Sequence, residues 1–562
     1  MREYYFRLME KALQAYSDDY ITGYFDRVKR EGLTEHGFPR LTANIGVLIA
    51  HGVRTDLLPV FMKMMDFCCE NIPRVKAAND FSVREIITCL EEIEKFSVVD
   101  PSKLAYWRGC IASIVAETCY TRYALKPTDD LRNWALFTGV SEYCRLSAGL
   151  GGSIDFIDLQ IETQFPWFDE NGMYMDSPES EDHQPLMYDL VTRTLFAILL
   201  NRGYRGKHYT RIDKILREGG LLSLRMQSVS GEIPFGGRSN QFVHNEGWLA
   251  TSYEYEIKRY IKEGNIPLAM EFGAAVARAL RASEEWLSRS PISHIKNRFA
   301  IDTQYGCEHY AYFDKYMITA ASAYFTASLI SDSKIGLEYK DDETTSAFLT
   351  SDNFHKLFLK SGGYSIEIER NGDPHYDCSG LGRIHRTGAP SAICLSLPCP
   401  EEPVFRVDIK PHALSIAAGI KALGEWRFAT GNDTEYVVDD YKAIDGSAEA
   451  AVACIFKGGE RVDCRYTVTD DGVSVKAMGD GEVGIMLPAF LYDGENYTYV
   501  KAESKTLSVG YLGWVCEYET DGEISDLGFT APNRTGHVGA YLASGMKSVS
   551  VKVRIFEDEQ SK

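Results

Sequence analysis

The chain has 562 residues, a formal net charge of −20, 45% hydrophobic and 25% charged residues. That length exceeds one ordinary core and predicts two sizeable domains, and the composition is that of a globular protein rather than a disordered or fibrous one. No apolar stretch in the sequence is long enough to cross a bilayer, and the acidic balance without a Lys/Arg stripe argues against nucleic acid, although a polyanion could bind locally, so neither membrane nor nucleic acid is an expected partner.

In chain order, apolar residues first recur with helical spacing, in segments of about 12 to 20 residues divided by turn signals. The clearest predicted helices are 4–16, 41–51, 57–71, 83–96, 106–124, 133–148, 184–201, 208–226, 246–261, 267–287 and 310–330. About six hairpins in series predict a double-ring toroid over residues 1–340, with an open α-solenoid as the alternative. After a charged linker at 335–351 the period drops to two, as in 363–369, 392–397 and 549–556. Asp471-Gly472, Asp480-Gly481, Asp493-Gly494 and Asp521-Gly522 mark tight turns, and together these predict an antiparallel β-sandwich over 350–562. The 13 cysteines are scattered without CxxC pairs and read as reduced, buried thiols; no metal site and no cofactor are expected. The absence of a leader-like start predicts a cytoplasmic chain or one already trimmed after secretion, and a homo-oligomer is compatible with the sequence.

Four polar clusters stand out. In the first, 236–248, Arg238, Asn240, Gln241, His244, Glu246 and Trp248 precede or open a helix. Arg offers a charged fork for a carboxylate, Asn and Gln paired donors and acceptors, and Trp a stacking face, as a uronic acid requires; Glu246 is then a candidate acid or base. Capping by Asn240 or Asn245 explains only part of this set. The second, 304–310, ends in Glu308, His309 and Tyr310, all candidates for proton transfer, while Tyr312, Phe313 and Tyr316 read as core. In the third, 172–184, Asp176 follows an apolar-aromatic strip that would raise its pKa, and Asp182 and His183 are further binding candidates, although acids at a helix start also complement its dipole. The fourth, 375–386, places His375, Asp377, Arg383 and His385 in a polar loop of the β half, which also reads as a surface loop with glycine turns.

The order of the halves, the Asn133-Trp134 helix ending in the glycines of 149–152, the stretch from Arg238 to Glu246 and the stretch from Gly306 to Tyr310 together resemble the (α/α)6-toroid carbohydrate enzymes. Within that group the chain is similar to heparinase II/III-type and alginate-type uronate lyases and to a β-glucuronidase-type glycoside hydrolase family. The resemblance implies an enzyme acting on a uronic-acid-containing glycan, with the sandwich closing one side of the cleft. Two mechanisms fit the residue types. A glucuronidase-like hydrolase would pair carboxylates drawn from Asp176, Glu246 and Glu308, and a Glu at each polar helix start favours it. A lyase would neutralise the uronate carboxyl with Asn240, Arg238 or His244 and remove the adjacent proton with His309 or Tyr310. A non-catalytic glycan-binding protein is the third class.

Overall fold

The computed structural model describes residues 2–176, 186–331 and 338–558. The helices are α1 (Arg2–Leu13), α2 (Asp18–Glu31), α3 (Gly37–Ala50), α4 (Leu58–Asn71), α5 (Val83–Lys95), α6 (Pro101–Ala112) and α7 (Ala116–Cys119). They continue with α8 (Asn133–Ser147), α9 (Ile154–Glu162), α10 (Leu186–Asn201), α11 (Tyr209–Met226), α12 (Asn245–Glu263), α13 (Ile266–Leu287) and α14 (Phe313–Ile330). Six of them, α3, α5, α8, α10, α12 and α14, pack each on the next, and α14 returns to α3, so the inner ring closes. This selects the toroid over the open solenoid. The inner members are buried on nearly every face, whereas the outer helices carry one apolar stripe: α5 buries Val83, Arg84, Glu85, Ile86, Ile87, Cys89, Leu90, Glu92 and Ile93, while α2 buries only Ile21, Tyr24, Phe25 and Val28.

Two helices go beyond the sequence reading. Helix α2 is opened by Ser17, whose hydroxyl accepts the Tyr20 N–H at 3.1 Å, and has acidic residues in its first turn and basic ones in its last. Helix α9 is the other. The predicted 106–124 helix is broken: α6 ends at Ala112 and α7 is a single turn, because the Ser113 and Cys119 regions bond back in local turns. The last helix begins at Phe313, so Glu308, His309 and Tyr310 stand on the loop before it.

The C-terminal region is antiparallel throughout. Its strands are β1 (Ser346–Leu349), β2 (Lys356–Ser361), β3 (Tyr364–Glu369), β4 (Gly380–Arg386), β5 (Ala418–Ala422), β6 (Glu425–Phe428), β7 (Thr434–Ile444) and β8 (Ser447–Phe456). Next come β9 (Arg461–Thr469), β10 (Gly472–Tyr492), β11 (Tyr499–Ala502), β12 (Thr506–Tyr511), β13 (Trp514–Thr520), β14 (Glu523–Asn533) and β15 (Gly536–Glu557). The first four form a small sheet in the order β1-β2-β3-β4; the rest form a large one in the order β11-β12-β13-β15-β10-β9-β8-β7, with β14 on β15, β5 on β10 and β6 on β5. Leu357, Leu359 and Ile366 of the small sheet share one core with Val468, Val475 and Val553 of the large sheet, which makes the pair a sandwich.

Two expectations are corrected here. Residues 392–397 form no strand; Leu395 makes a single bridge to Ile384, and prolines at 390, 398 and 400 keep the segment out of a ladder. Asp480-Gly481 is not a turn but lies inside β10, at the register shift between Met478 and Glu482. The cysteines are free, as read from their spacing, and all but Cys110 are buried.

Candidate functional site

All six inner helices run in one direction, so their N-terminal ends gather at one mouth of the ring. There they enclose a cavity of about 440 Å³. Arg40 of α3, Arg84 of α5, Trp134 of α8, Tyr188 of α10, Trp248 of α12 and Tyr316 of α14 line it, each within four residues of its helix start. His36, Arg238, Ser239, His244, Tyr310 and Lys315 complete the wall. Converging N-termini expose unpaired N–H groups and the positive ends of helix dipoles, each favouring an anion by about 0.3–1 kcal/mol. The side chains agree: among the described residues the charged ones lining the cavity are Arg40, Arg84, Arg238 and Lys315 against one carboxylate, Glu35.

The floor is a buried cluster around Glu85. Its carboxylate takes Arg40 Nε at 2.9 Å and Arg84 Nη2 at 3.1 Å, and further hydrogen bonds from Ser322 Oγ at 2.6 Å and Asn44 Nδ2 at 3.2 Å. The Arg84 Nε has no partner although it is buried. Below the floor a second cavity of about 210 Å³ continues along the ring axis.

Arg238 is held from two sides. Its Nη2 meets Asp176 Oδ2 at 2.6 Å, and its guanidinium lies 4.7 Å from the centre of the Tyr188 ring. Asp176 is fully buried and accepts Asn133 Nδ2 at 2.8 Å and the Asn133 N–H at 3.3 Å, so it caps α8. Burial raises its pKa, opposed by Arg238 and Asn133. The direction matches the expectation, but the group acts behind Arg238 rather than facing the cavity. The chain reaches Ser239 through Gly236 and Gly237, at φ 119° and 70°, and Ser239 itself is left-handed at φ 58°. Asn245 ties this loop down, accepting the Phe242 N–H at 2.8 Å and donating to the Ser239 carbonyl at 3.1 Å.

The aromatic wall carries hydroxyl and imidazole groups. Ser239 Oγ sits between the Tyr316 hydroxyl at 3.1 Å and the Tyr188 hydroxyl at 3.3 Å. The Tyr310 ring lies 6.2 Å from that of Tyr316, and the His244 ring 5.4 Å from it on another side. Burial first, then the neighbouring Tyr188 and Glu308, pushes the Tyr310 hydroxyl well up, so it keeps its proton. Burial and then Arg40 push His244 down to about 3, so its imidazole is neutral at physiological pH. His36 is shifted the same way by burial, Arg40 and Lys315. Ring nitrogens Nδ1 of both histidines are buried without a hydrogen-bond partner, which leaves them available to a ligand, while the buried Tyr310 hydroxyl has Ser239 beside it.

Of the residues singled out in the sequence, Arg238, His244, Trp248 and Tyr310 meet in this cavity. Others do not line it. Glu246 is fully buried on the other side of α12, where Lys296 Nζ contacts it at 2.5 Å and also reaches Glu232 at 3.3 Å. Glu308 is clamped by Arg534 of the sandwich, Nη2 to Oε1 at 2.7 Å and Nη1 to Oε2 at 3.0 Å. Asn240 donates to the Pro234 carbonyl and Gln241 to Asn240 Oδ1, both inside the loop. His309 is exposed. In the β half, His375 faces solvent beside the Glu402 carbonyl, Arg383 is buried against Glu367 at 3.2 Å, Asp377 and His385 are buried, and His385 Nδ1 pairs with Ser230 Oγ at 2.7 Å. Asp182 and His183 lie outside the described residues. Conversely, Tyr316, read as core, lines the cavity, and His36, Arg40, Arg84 and Tyr188 were not singled out; their shared signal is proximity to an inner helix start.

No family model matches the chain, and no curated protein matches it. Among solved structures it is similar to a heparan sulfate lyase HepC mutant from Pedobacter heparinus, at 9% identity and a TM-score of 0.47, covering 92% of this chain and 76% of that one. It is also similar to heparinase III, at 8% identity and 0.38 over 85% and 77% of the two chains. A glycosyl hydrolase family 88 structure from Bacteroides vulgatus is similar at 10% identity and 0.39, covering 59% of this chain and 99% of that one. At this identity no residue role is carried over from them.

Proposed function

We propose that this protein cleaves uronic-acid-containing polysaccharides by β-elimination. The observation that supports this reading is the make-up of the cavity wall: Arg238, neutral His244 and His36, and protonated Tyr310, with Glu35 the only lining carboxylate among the described residues. Hydrolysis needs two carboxylates flanking the glycosidic bond. Two of the three proposed for it, Glu246 and Glu308, are held in buried ion pairs, and Asp176 stands behind Arg238.

In this reading the uronate carboxylate binds Arg238 and the helix N-termini, which stabilises the enolate-like charge that develops when the adjacent ring proton leaves. A neutral imidazole, His244 or His36, takes that proton. Tyr310 donates its proton to the departing glycosidic oxygen, and the double bond forms as that C–O bond breaks. Trp134, Trp248 and Tyr188 offer ring faces to the sugars.

The test is ultraviolet absorbance during incubation with uronate polymers. Absorbance that rises together with new reducing ends supports the lyase, because only elimination leaves a conjugated double bond. Reducing ends without absorbance would support the glucuronidase-like hydrolase instead. Binding with neither product would leave a glycan-binding protein.

A further inference from the structure

We propose that Arg534, in the turn between β14 and β15 of the sandwich, is a positioning residue for the toroid cavity, acting through Glu308 on the backbone that aims Arg238. The turn is itself well fixed: Asn533 Oδ1 accepts the N–H groups of Thr535 and Gly536 at 2.9 and 3.1 Å, and Asn533 Nδ2 donates to the Leu397 carbonyl at 2.9 Å. From it Arg534 enters the toroid, donating to the Gly306 carbonyl at 2.7 Å and forking onto both oxygens of Glu308. The two side chains are 1% and 2% exposed, so neither touches a ligand directly.

The next link carries the inference. Glu308 Oε1 accepts the N–H of Ser239 at 2.8 Å. Ser239 sits at φ 58°, a strained conformation that a non-glycine residue keeps only where its surroundings impose it. Its hydroxyl lies between Tyr188 and Tyr316, and its neighbour Arg238 lies over the Tyr188 ring. The fork therefore orients the carboxylate that holds the strained residue next to the cavity's main anion-binding group. Other buried ion pairs, Lys296 with Glu246 within the toroid and Arg383 with Glu367 within the sandwich, contact no residue of the cavity wall in this way. Arg534 thus makes the sandwich a part of the site.

The proposal rests on the uronate reading only for its kinetic arm. Arg534→Lys keeps the charge and removes the fork. With or without substrate, amide exchange in 236–241 of the full chain should rise at least about tenfold in this variant, with the other interface segments unchanged. On a uronate polymer, kcat/KM should fall about tenfold in Arg534→Lys, and adding that change to Arg238→Ala should produce no further loss. Unchanged exchange in the loop would overturn the proposal, and so would losses that multiply in the double variant. Should no uronate glycan be turned over, the exchange result alone decides.

Discussion

The cavity at the toroid mouth and the ionic seam between toroid and sandwich contain the same residue types arranged to opposite ends. In the cavity, cations outnumber anions among the described residues, and several polar atoms, among them Arg84 Nε, His36 Nδ1 and His244 Nδ1, have no hydrogen-bond partner. In the seam, charges answer one another: Arg534 with Glu308 at 2.7 Å and Arg298 with Asp493 at 3.0 Å cross between the two halves, flanked by Lys296 with Glu246 and Glu232 on the toroid side and by Arg383 with Glu367 and Lys356 with Glu367 and Glu369 on the sandwich side. A buried polar group without a partner is costly, so a protein keeps one where a ligand will supply the partner. A buried charge pair adds little net stability, but removing one partner leaves the other stranded. Unpartnered polar atoms occur in both regions, Glu246 Oε2 and Arg383 Nη2 among them, so the balance of charge separates the two: each seam cation faces a carboxylate, whereas four cations line the cavity against Glu35 among the described residues.

Substitutions in the two regions should therefore fail in opposite assays. The largest effect belongs to Tyr310→Phe, which removes the proposed proton donor: kcat should fall about 10³-fold on uronate polymers while the urea midpoint stays near that of the parent. A large shift in midpoint would instead place Tyr310 with the structural groups. Glu246→Gln should do the reverse, costing about 3–5 kcal/mol in urea unfolding because Lys296 loses a buried partner, with turnover per folded molecule largely retained.

Acid should weaken both regions through buried histidines. Burial pushes His244 and His385 down to about 3 and His294 to about 4, from an ordinary 6.5. The unfolded chain then binds more protons than the folded one between pH 6.5 and those values. The stability they contribute is present above 6.5 and lost as pH falls, by at most about 1.4 kcal/mol per group and pH unit. Thermal unfolding followed from pH 7.5 to 5 should show a declining midpoint, and a flat profile would mean that these imidazoles are hydrated. The smallest effect is expected for Trp134→Ala, which removes one stacking face: about 1 kcal/mol, or roughly a fivefold rise in KM, with kcat unchanged.

The sequence made the period-3.6 region and the period-2 region legible, because burial on one face of a helix or strand is written into spacing. Closure of the ring was not so written. It depends on α14 meeting α3, a contact between segments almost the whole toroid apart. Site reading divided along the same line. Arg238, His244, Trp248 and Tyr310 were recognisable by type and by position near a helix start, and they converge. Glu246 had the same credentials but differs from Trp248 by about half a helical turn, which points it at Lys296 instead of the cavity. Glu308 met a partner more than two hundred residues away in Arg534, which no local pattern announces. His36 and Arg40 were hidden because their functional weight comes only from the ring that brings six helix starts together.

The most direct test is the ultraviolet assay run on three proteins side by side, the parent, Tyr310→Phe and Glu246→Gln, each normalised to folded material. The present account predicts absorbance from the parent and from Glu246→Gln, and almost none from Tyr310→Phe. Reducing sugar released without absorbance, abolished by Glu246→Gln and spared by Tyr310→Phe, would contradict it.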